Sequence, residues 1–491
     1  MTAVQLIPTL QFISLSARGI DQSFLSEGWF IPWQHLVQFI IPDFFGNPST
    51  LNYWGIWNYG EFVGYVGIVP LVFAVYGAFF SKRKEAHFFI GGIIAALIFS
   101  LQNPIAEIPF KLAIPFISSS QPTRLVFLVT FSLAVISAIG FDAFLREKEV
   151  KIKRFIPYVG LITLFITIWI LSYPSINVFG ISPENLLVVK RNLVFPTLVL
   201  AAGFLLMLVY AFIRNPIAKK MLIILFLVLI SFDLLRFSDK FTPFSKKEYI
   251  FPNTKSVEFL KKDNEIFRVG SIDSRIFAPN FLTHYRIQSI EGYDPLFLLS
   301  YGEFIAASER GKPDIHAPFG FNRIITPHRY DSEFFNLLNV KYVFSLTDIA
   351  SERYELVFEE GQTKIFKNND YLPRTFFVER LISEQNVQEQ INEVFANDLS
   401  RTAIVEESVD DMANLSVGRA VVVKYEDNEI IIKTENKGDG FLVLSDAFYP
   451  TWEVQIDGKR AIINKTNFTF RGVFIPEGEH EVIFKNRLFK L

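Results

Sequence analysis

The chain has 491 residues; half are hydrophobic, 54 are Phe, and the formal charge is −2. Residues 1–239 carry 17 Lys/Arg and 12 Asp/Glu (17 − 12 = +5), and residues 240–491 carry 31 and 38 (31 − 38 = −7). A charge density near 12% in the first part against the soluble norm of about 25% excludes one uniform soluble globule, a disordered chain and a cationic nucleic-acid binder. With no cysteine, disulfides, thiolate metal sites and cysteine nucleophiles are excluded as well.

A helix crosses hydrocarbon with roughly 20 apolar residues. The runs Phe62–Phe80, His87–Leu101, Leu125–Phe144, Phe155–Tyr173, Asn192–Ile213 and Met221–Leu235 read as spans, and Met1–Leu15 as a partial one. The expectation is a multispanning α-helical membrane domain of about seven spans over residues 1–239. Cationic loops stay on the cytoplasmic side. Eleven cations lie in three alternate loops: Lys82, Arg83 and Lys84; Arg146, Lys148, Lys151, Lys153 and Arg154; Arg214, Lys219 and Lys220. The intervening loops hold five: Arg18, Lys111, Arg124, Lys190 and Arg191. This asymmetry puts residues 16–61, 104–124, 174–191 and everything after about Phe237 outside the cytoplasmic membrane.

Two external loops carry the candidate site residues. Residues 26–62 hold Trp29, Trp33, Tyr53, Trp54, Trp57 and Tyr59 beside Asp43 and Glu61. These aromatics suit an interfacial belt. Tyr53, Trp54 and Trp57 equally suit a platform that stacks on a sugar or polyprenyl chain, with Asp43 or Glu61 accepting hydroxyl protons. Arg124 stands at the entry to a span, where it can hold a lipid phosphate or snorkel to headgroups.

Residues 240–410 mix helix and strand signals and read as an extracytoplasmic α/β region. Thr254–Lys262 is a capped amphipathic helix, Ile266–Ile272 reads as a strand, and residues 385–400 as a second helix. From 411 to 491 about seven short alternating runs follow one another. Turns such as Asp457-Gly458 separate them, and the pattern is that of a small β-sandwich. No phosphate-loop, dinucleotide-binding, zinc-protease or serine-hydrolase motif occurs, and the six His have no metal-ligand spacing.

Several segments in one order resemble YfhO-type bacterial membrane proteins. They are Gln5-Leu6-Ile7-Pro8-Thr9 with Ser16-Ala17-Arg18, Pro42-Asp43-Phe44-Phe45-Gly46, Tyr65-Val66-Gly67, and Ser120-Gln121-Pro122-Thr123-Arg124, where Ser120 replaces the family's first Arg. In the second half they are Gly292-Tyr293-Asp294-Pro295-Leu296, Leu338-Asn339-Val340-Lys341-Tyr342, Leu372-Pro373-Arg374, Leu444-Ser445-Asp446, Tyr449-Pro450-Thr451-Trp452 and Phe470-Arg471-Gly472-Val473. The resemblance implies a relative of the GT-C glycosyltransferases. Such an enzyme moves sugar from a polyprenyl-phosphate carrier to a cell-envelope polymer such as teichoic or lipoteichoic acid, with or without a divalent metal. It further implies that the catalytic base precedes Met1 and that the chain is the later part of a longer protein. Arg18 and Arg124 are then the candidate phosphate ligands, with Asp43 and Glu61 as secondary acids. The expected partners are membrane lipid, the lipid-linked sugar and the envelope glycopolymer, with no nucleic acid. The alternative is a non-catalytic, membrane-anchored protein that binds envelope glycan or a partner.

Overall fold

The computed structural model describes residues 3–17, 24, 28–56, 58–112, 114, 117–118, 120–147, 155–173, 180–242, 244–273, 275–321, 323–409 and 412–487. The chain divides into two compact units, Asp21–Ser245 and a second made of Met1–Ile20 with Lys246–Leu491.

Helix α1, Ala3–Ser14, belongs to the second unit, although the sequence groups it with the spans. Its 12 residues reach only about 18 Å at the helical rise of 1.5 Å per residue, well short of a bilayer. The chain after it is tied into the second unit instead. The Ala17 N–H donates to the Phe297 carbonyl at 3.1 Å, the Leu299 N–H donates to the Leu15 carbonyl at 2.9 Å, and Phe12 meets the Tyr449 ring.

The unit Asp21–Ser245 is helical: α2 Tyr59–Phe62, α3 Ile68–Phe80, α4 Lys84–Ser100, α5 Pro104–Lys111, α6 Val126–Leu145, α7 Ile156–Leu171, α8 Pro183–Phe212 and α9 Pro216–Asp239. Three of these starts follow one rule. Asn103, Ser182 and Asn215 cap the backbone N–H groups of α5, α8 and α9, and each is followed by a Pro that needs no partner there. Among the described residues three helices are long and apolar enough to cross a membrane: Pro122–Leu145, Pro183–Phe212 and Pro216–Asp239. Helices α3, α4 and α7 have 13, 17 and 16 residues, below the roughly 20 a perpendicular crossing takes. The core of this unit packs Phe73 and Tyr76 of α3 against Phe144 of α6, Tyr158 of α7 and Phe226 of α9.

The second unit contains α10 Lys255–Lys261, α11 Leu299–Arg310, α12 Glu333–Leu337 and α13 Val387–Ala396. A five-stranded sheet orders Gln288–Ser289, Arg268–Ser271, Val340–Ser345, Thr363–Asn368 and Tyr354–Glu360. Arg268–Ser271 runs parallel to both of its neighbours, and the remaining pairs are antiparallel. A seven-stranded sheet then takes Thr375–Val378, Arg380–Ser383, Thr402–Val405 and Met412–Ala413 together with Asn464–Thr466, Phe470–Ile475 and Gly440–Leu444. The expected boundary at residue 411 therefore falls inside one sheet, because Thr375–Val378 pairs with Gly440–Leu444 and Thr402–Val405 with Asn464–Thr466. A third sheet of five strands faces it. Ile430, Ile432, Val454, Val482 and Phe484 share a core with Phe377, Leu442, Leu444 and Val473. The turn Asp457-Gly458 joins two antiparallel strands with φ of 48° and 77°, the left-handed pair that a tight hairpin takes.

Candidate functional site

The two long helices α8 and α9 are joined by the turn at residues 213–215 and pack on each other. Residues early in α8 and late in α9 therefore lie at the same end. Arg191 and Asn192 come from α8, Asp233 and Arg236 from α9, and Lys240 caps the C-terminus of α9. With Asp43 and Tyr65 these residues line a cavity of about 520 Å³ inside the unit Asp21–Ser245.

Asp43 is 7% exposed and every part of it is engaged. Its Oδ1 accepts from the Tyr59 hydroxyl at 2.7 Å and the Asn47 amide at 2.8 Å. Its Oδ2 pairs with the Lys240 ammonium. Its backbone carbonyl accepts from the Asn192 side chain at 2.6 Å, which ties the loop to α8. Burial, reinforced by the Asp43 charge, pushes the Tyr59 hydroxyl far above its ordinary value and keeps it a donor. One turn after Asn192, Pro196 has no N–H to give, so the Asn192 carbonyl lacks its helical partner at the cavity wall.

Asp233 is 2% exposed. The Tyr65 hydroxyl reaches its two oxygens at 2.8 and 2.7 Å, and the Ile68 N–H at the start of α3 donates to Oδ2 at 3.1 Å. Gly67 makes that approach possible. It holds φ at +94°, a conformation that side chains disfavour, and a Cβ there would sit 3.3 Å from the Asp233 carboxylate.

The cations are less constrained. The Arg236 guanidinium lies 3.9 Å over the Phe195 ring. Neither Arg191 nor Arg236 makes a side-chain hydrogen bond or salt bridge to any described residue. Three cations against two carboxylates leave the cleft at +3 − 2 = +1, with two guanidinium forks available. Such forks match the geometry of phosphate or carboxylate oxygens.

Of the residues singled out by sequence, Asp43 lines this cavity. Glu61 and Arg124 meet each other elsewhere. Glu61 accepts from the Thr123 hydroxyl at 3.0 Å, and the Arg124 Nε stands 3.6 Å from its other oxygen. Tyr53 donates to the Ile56 carbonyl and sets its ring edge-on to Tyr59. Trp54 packs edge-on against Phe45. Neither ring lines the cavity. Arg18 and Trp57 lie outside the described residues. Lys240, Asp233, Arg236, Arg191 and Tyr65 are not among the candidate site residues read from the sequence, although Tyr65 lies in a segment that carries the family resemblance. One signal was present: Asp233, Arg236 and Lys240 recur at three- and four-residue intervals on one face of an apolar helix. Among the described residues no group of three or more His, Asp or Glu is arranged to hold a metal. Compared with protein-family models, curated proteins and solved structures, the chain matches none of them.

Proposed function

We propose that the chain is a multispanning membrane protein of the YfhO type that moves sugar from a polyprenyl-phosphate carrier to a cell-envelope polymer. The supporting observation is the cationic cleft at the end of the α8–α9 hairpin. It lies opposite the turn with Arg214 and the adjoining start of α9 with Lys219 and Lys220. Cationic turns favour the cytoplasm, so this end of the hairpin faces outward in the plasma membrane. Helices α3, α4 and α7 complete the membrane domain as short spans accommodated by local thinning of the bilayer, and the unit containing Lys246–Leu491 is extracytoplasmic.

Arg191 and Arg236 bind the carrier phosphate as bidentate donors. Lys240 exchanges its Asp43 partner for a phosphate oxygen, which frees Asp43 Oδ2 for the acceptor hydroxyl. The acceptor oxygen then bonds to the anomeric carbon as the bond from that carbon to the phosphate oxygen breaks. The leaving phosphate keeps the electron pair, the hydroxyl proton passes to the catalytic base, and Asp43 Oδ2 holds the hydroxyl in place as a secondary acceptor. Positive charge near the leaving group stabilises the charge that develops on it.

The test is transfer of radiolabelled sugar from polyprenyl phosphate into envelope polymer by membranes containing the chain. Replacing Arg191 and Arg236 together by Ala is expected to lower turnover at least about a hundredfold, in line with the loss of paired charge-stabilising donors. Turnover equal to the parent's would end the reading.

A further inference from the structure

The unit that holds Lys246–Leu491 contains two cavities, of about 1000 and 310 Å³, whose linings share Arg268, Ser289 and Glu291. The segments singled out by the family resemblance converge behind this shared wall. The Arg268 guanidinium donates to the carbonyls of Leu338 at 2.9 Å and Ser445 at 2.8 Å, and to the Asp446 carboxylate at 2.7 Å. Asp446 also receives Arg374 at 3.0 Å and the Tyr425 hydroxyl at 3.0 Å. Arg374 reaches on to the Gln288 side chain at 2.7 Å, next to Ser289. Arg268 is thus fixed by a buried network, and fixed side chains backed in this way form preorganised sites.

Glu291 is only half used. One oxygen accepts from the Ser271 N–H at 2.8 Å, and the other accepts no hydrogen bond from the described residues. Burial raises this carboxyl to about 7, so near neutral pH it serves as donor or acceptor. The lining of the larger cavity also includes Asp427 and Asn428, at the turn between Arg419–Glu426 and Glu429–Asn436.

We infer that this divided cleft binds a short, uncharged, hydroxyl-rich glycan segment, held by Glu291 and Arg268 at the shared wall and by Asp427 in the larger cavity. Cavities between 300 and 1,000 Å³ take ligands of about drug size, which is on the order of two or three sugar rings. Charge decides against a polyanion. Arg268 and Arg374 share the single Asp446 carboxylate, which leaves 2 − 1 = +1 there, and Glu426 and Glu429 are matched by Lys424 and Lys485. Arg286 adds +1 against −2 from Glu291 and Asp427, so the larger cavity sums to zero and offers no net attraction to phosphate. Carboxylates and an amide side chain accept from and donate to sugar hydroxyls instead. The site belongs to a different unit from the residues of the proposed transfer chemistry and stands or falls without it.

The experiment uses the full chain in lipid nanodiscs. Titration calorimetry is run with trisaccharides of glucose, galactose and N-acetylglucosamine, and with a glycerol-phosphate hexamer. At least one trisaccharide is expected to bind saturably with a Kd below about 1 mM. Glu291→Gln and Asp427→Ala are each expected to weaken it at least about fivefold, roughly one lost hydrogen bond to a charged group. Asp427 is exposed, so Asp427→Ala keeps the fold and carries the test even if Glu291→Gln does not fold. The inference is overturned if no trisaccharide binds up to about 10 mM, if folded variants bind like the parent, or if the hexamer binds more tightly than every trisaccharide.

Discussion

Removing an ionised carboxylate from water costs several kcal/mol unless protein groups replace the lost hydration. For Asp43 those groups are Tyr59, Asn47 and Lys240. Taking away Lys240 leaves a negative charge in a site with 7% exposure. Lys240→Met is therefore expected to destabilise the unit by about 2 kcal/mol, below the 3–5 kcal/mol for a fully buried pair because the Lys240 side chain keeps 24% of its exposure. Adding Asp43→Asn should restore most of that loss, and thermal unfolding in detergent of the single and double variants reads both. Glu291 behaves in the opposite sense. Its folded value of about 7 lies above the ordinary 4.5, so the folded chain holds the proton more tightly. That contribution is fully present below pH 4.5 and is lost as pH rises through 7, by at most about 3 kcal/mol. Unfolding midpoints at pH 5 and pH 8 should differ less in Glu291→Gln than in the parent; an unchanged slope would show that Glu291 is not the titrating group. At this scale the sequence was only half readable. Asp43 stood out as an acid among aromatics, but its partner lies 197 residues away, and the Tyr65–Asp233 pair spans 168. Local spacing carries no trace of such pairings.

Helix starts were the most legible elements, since Asn-Pro and Ser-Pro pairs combine a side-chain cap with a residue that needs no donor. Helix contacts were less so. In α3 and α6 two glycines meet: a Cβ at Gly140 would come within 1.9 Å of the Phe73 carbonyl oxygen, and one at Gly77 within 2.6 Å of the Ile136 oxygen. Apolar helices in lipid gain little from hydrophobic burial against one another and associate through such close backbone approach. Gly140→Leu is expected to cost about 3 kcal/mol or to prevent α3 and α6 from packing. Gly160→Leu in α7, where an added Cβ meets nothing within 4 Å, should be neutral or slightly stabilising. Thermal unfolding of the two variants in the same detergent separates them, and equal midpoints would refute the contact. The strands Thr375–Val378 and Thr402–Val405 show the same limit as the glycines. They are four-residue runs without alternation, Thr-Phe-Phe-Val and Thr-Ala-Ile-Val, and nothing local says that they join a sheet with residues 440–475.

A net charge of −2 hides an excess of +5 in residues 1–239 and −7 in residues 240–491. Cations in short loops resist translocation, while long soluble segments cross largely regardless of charge, so the excess bears on orientation. The signal was readable before any fold was known because it depends on loop composition alone. The number of spans is less legible: it depends on helix length, and among the described residues three helices reach spanning length where the apolar runs suggest about seven. The proposed orientation puts the turn at Lys220 in the cytoplasm and the turn at Lys437 outside. The chain has no cysteine, so one introduced thiol reports one position with no background. Both residues are exposed, and Lys220→Cys leaves Arg214 and Lys219 to hold the turn inside. In intact cells a membrane-impermeant maleimide is expected to label Lys437→Cys and to reach Lys220→Cys only after permeabilisation. The opposite pattern would invert the topology, and the cationic cleft at the other end of the α8–α9 hairpin would then face the cytoplasm, away from any externally presented acceptor. Equal labelling of both in intact cells would mean that no bilayer separates the two turns, and the membrane-spanning reading of α8 and α9 would fail with it.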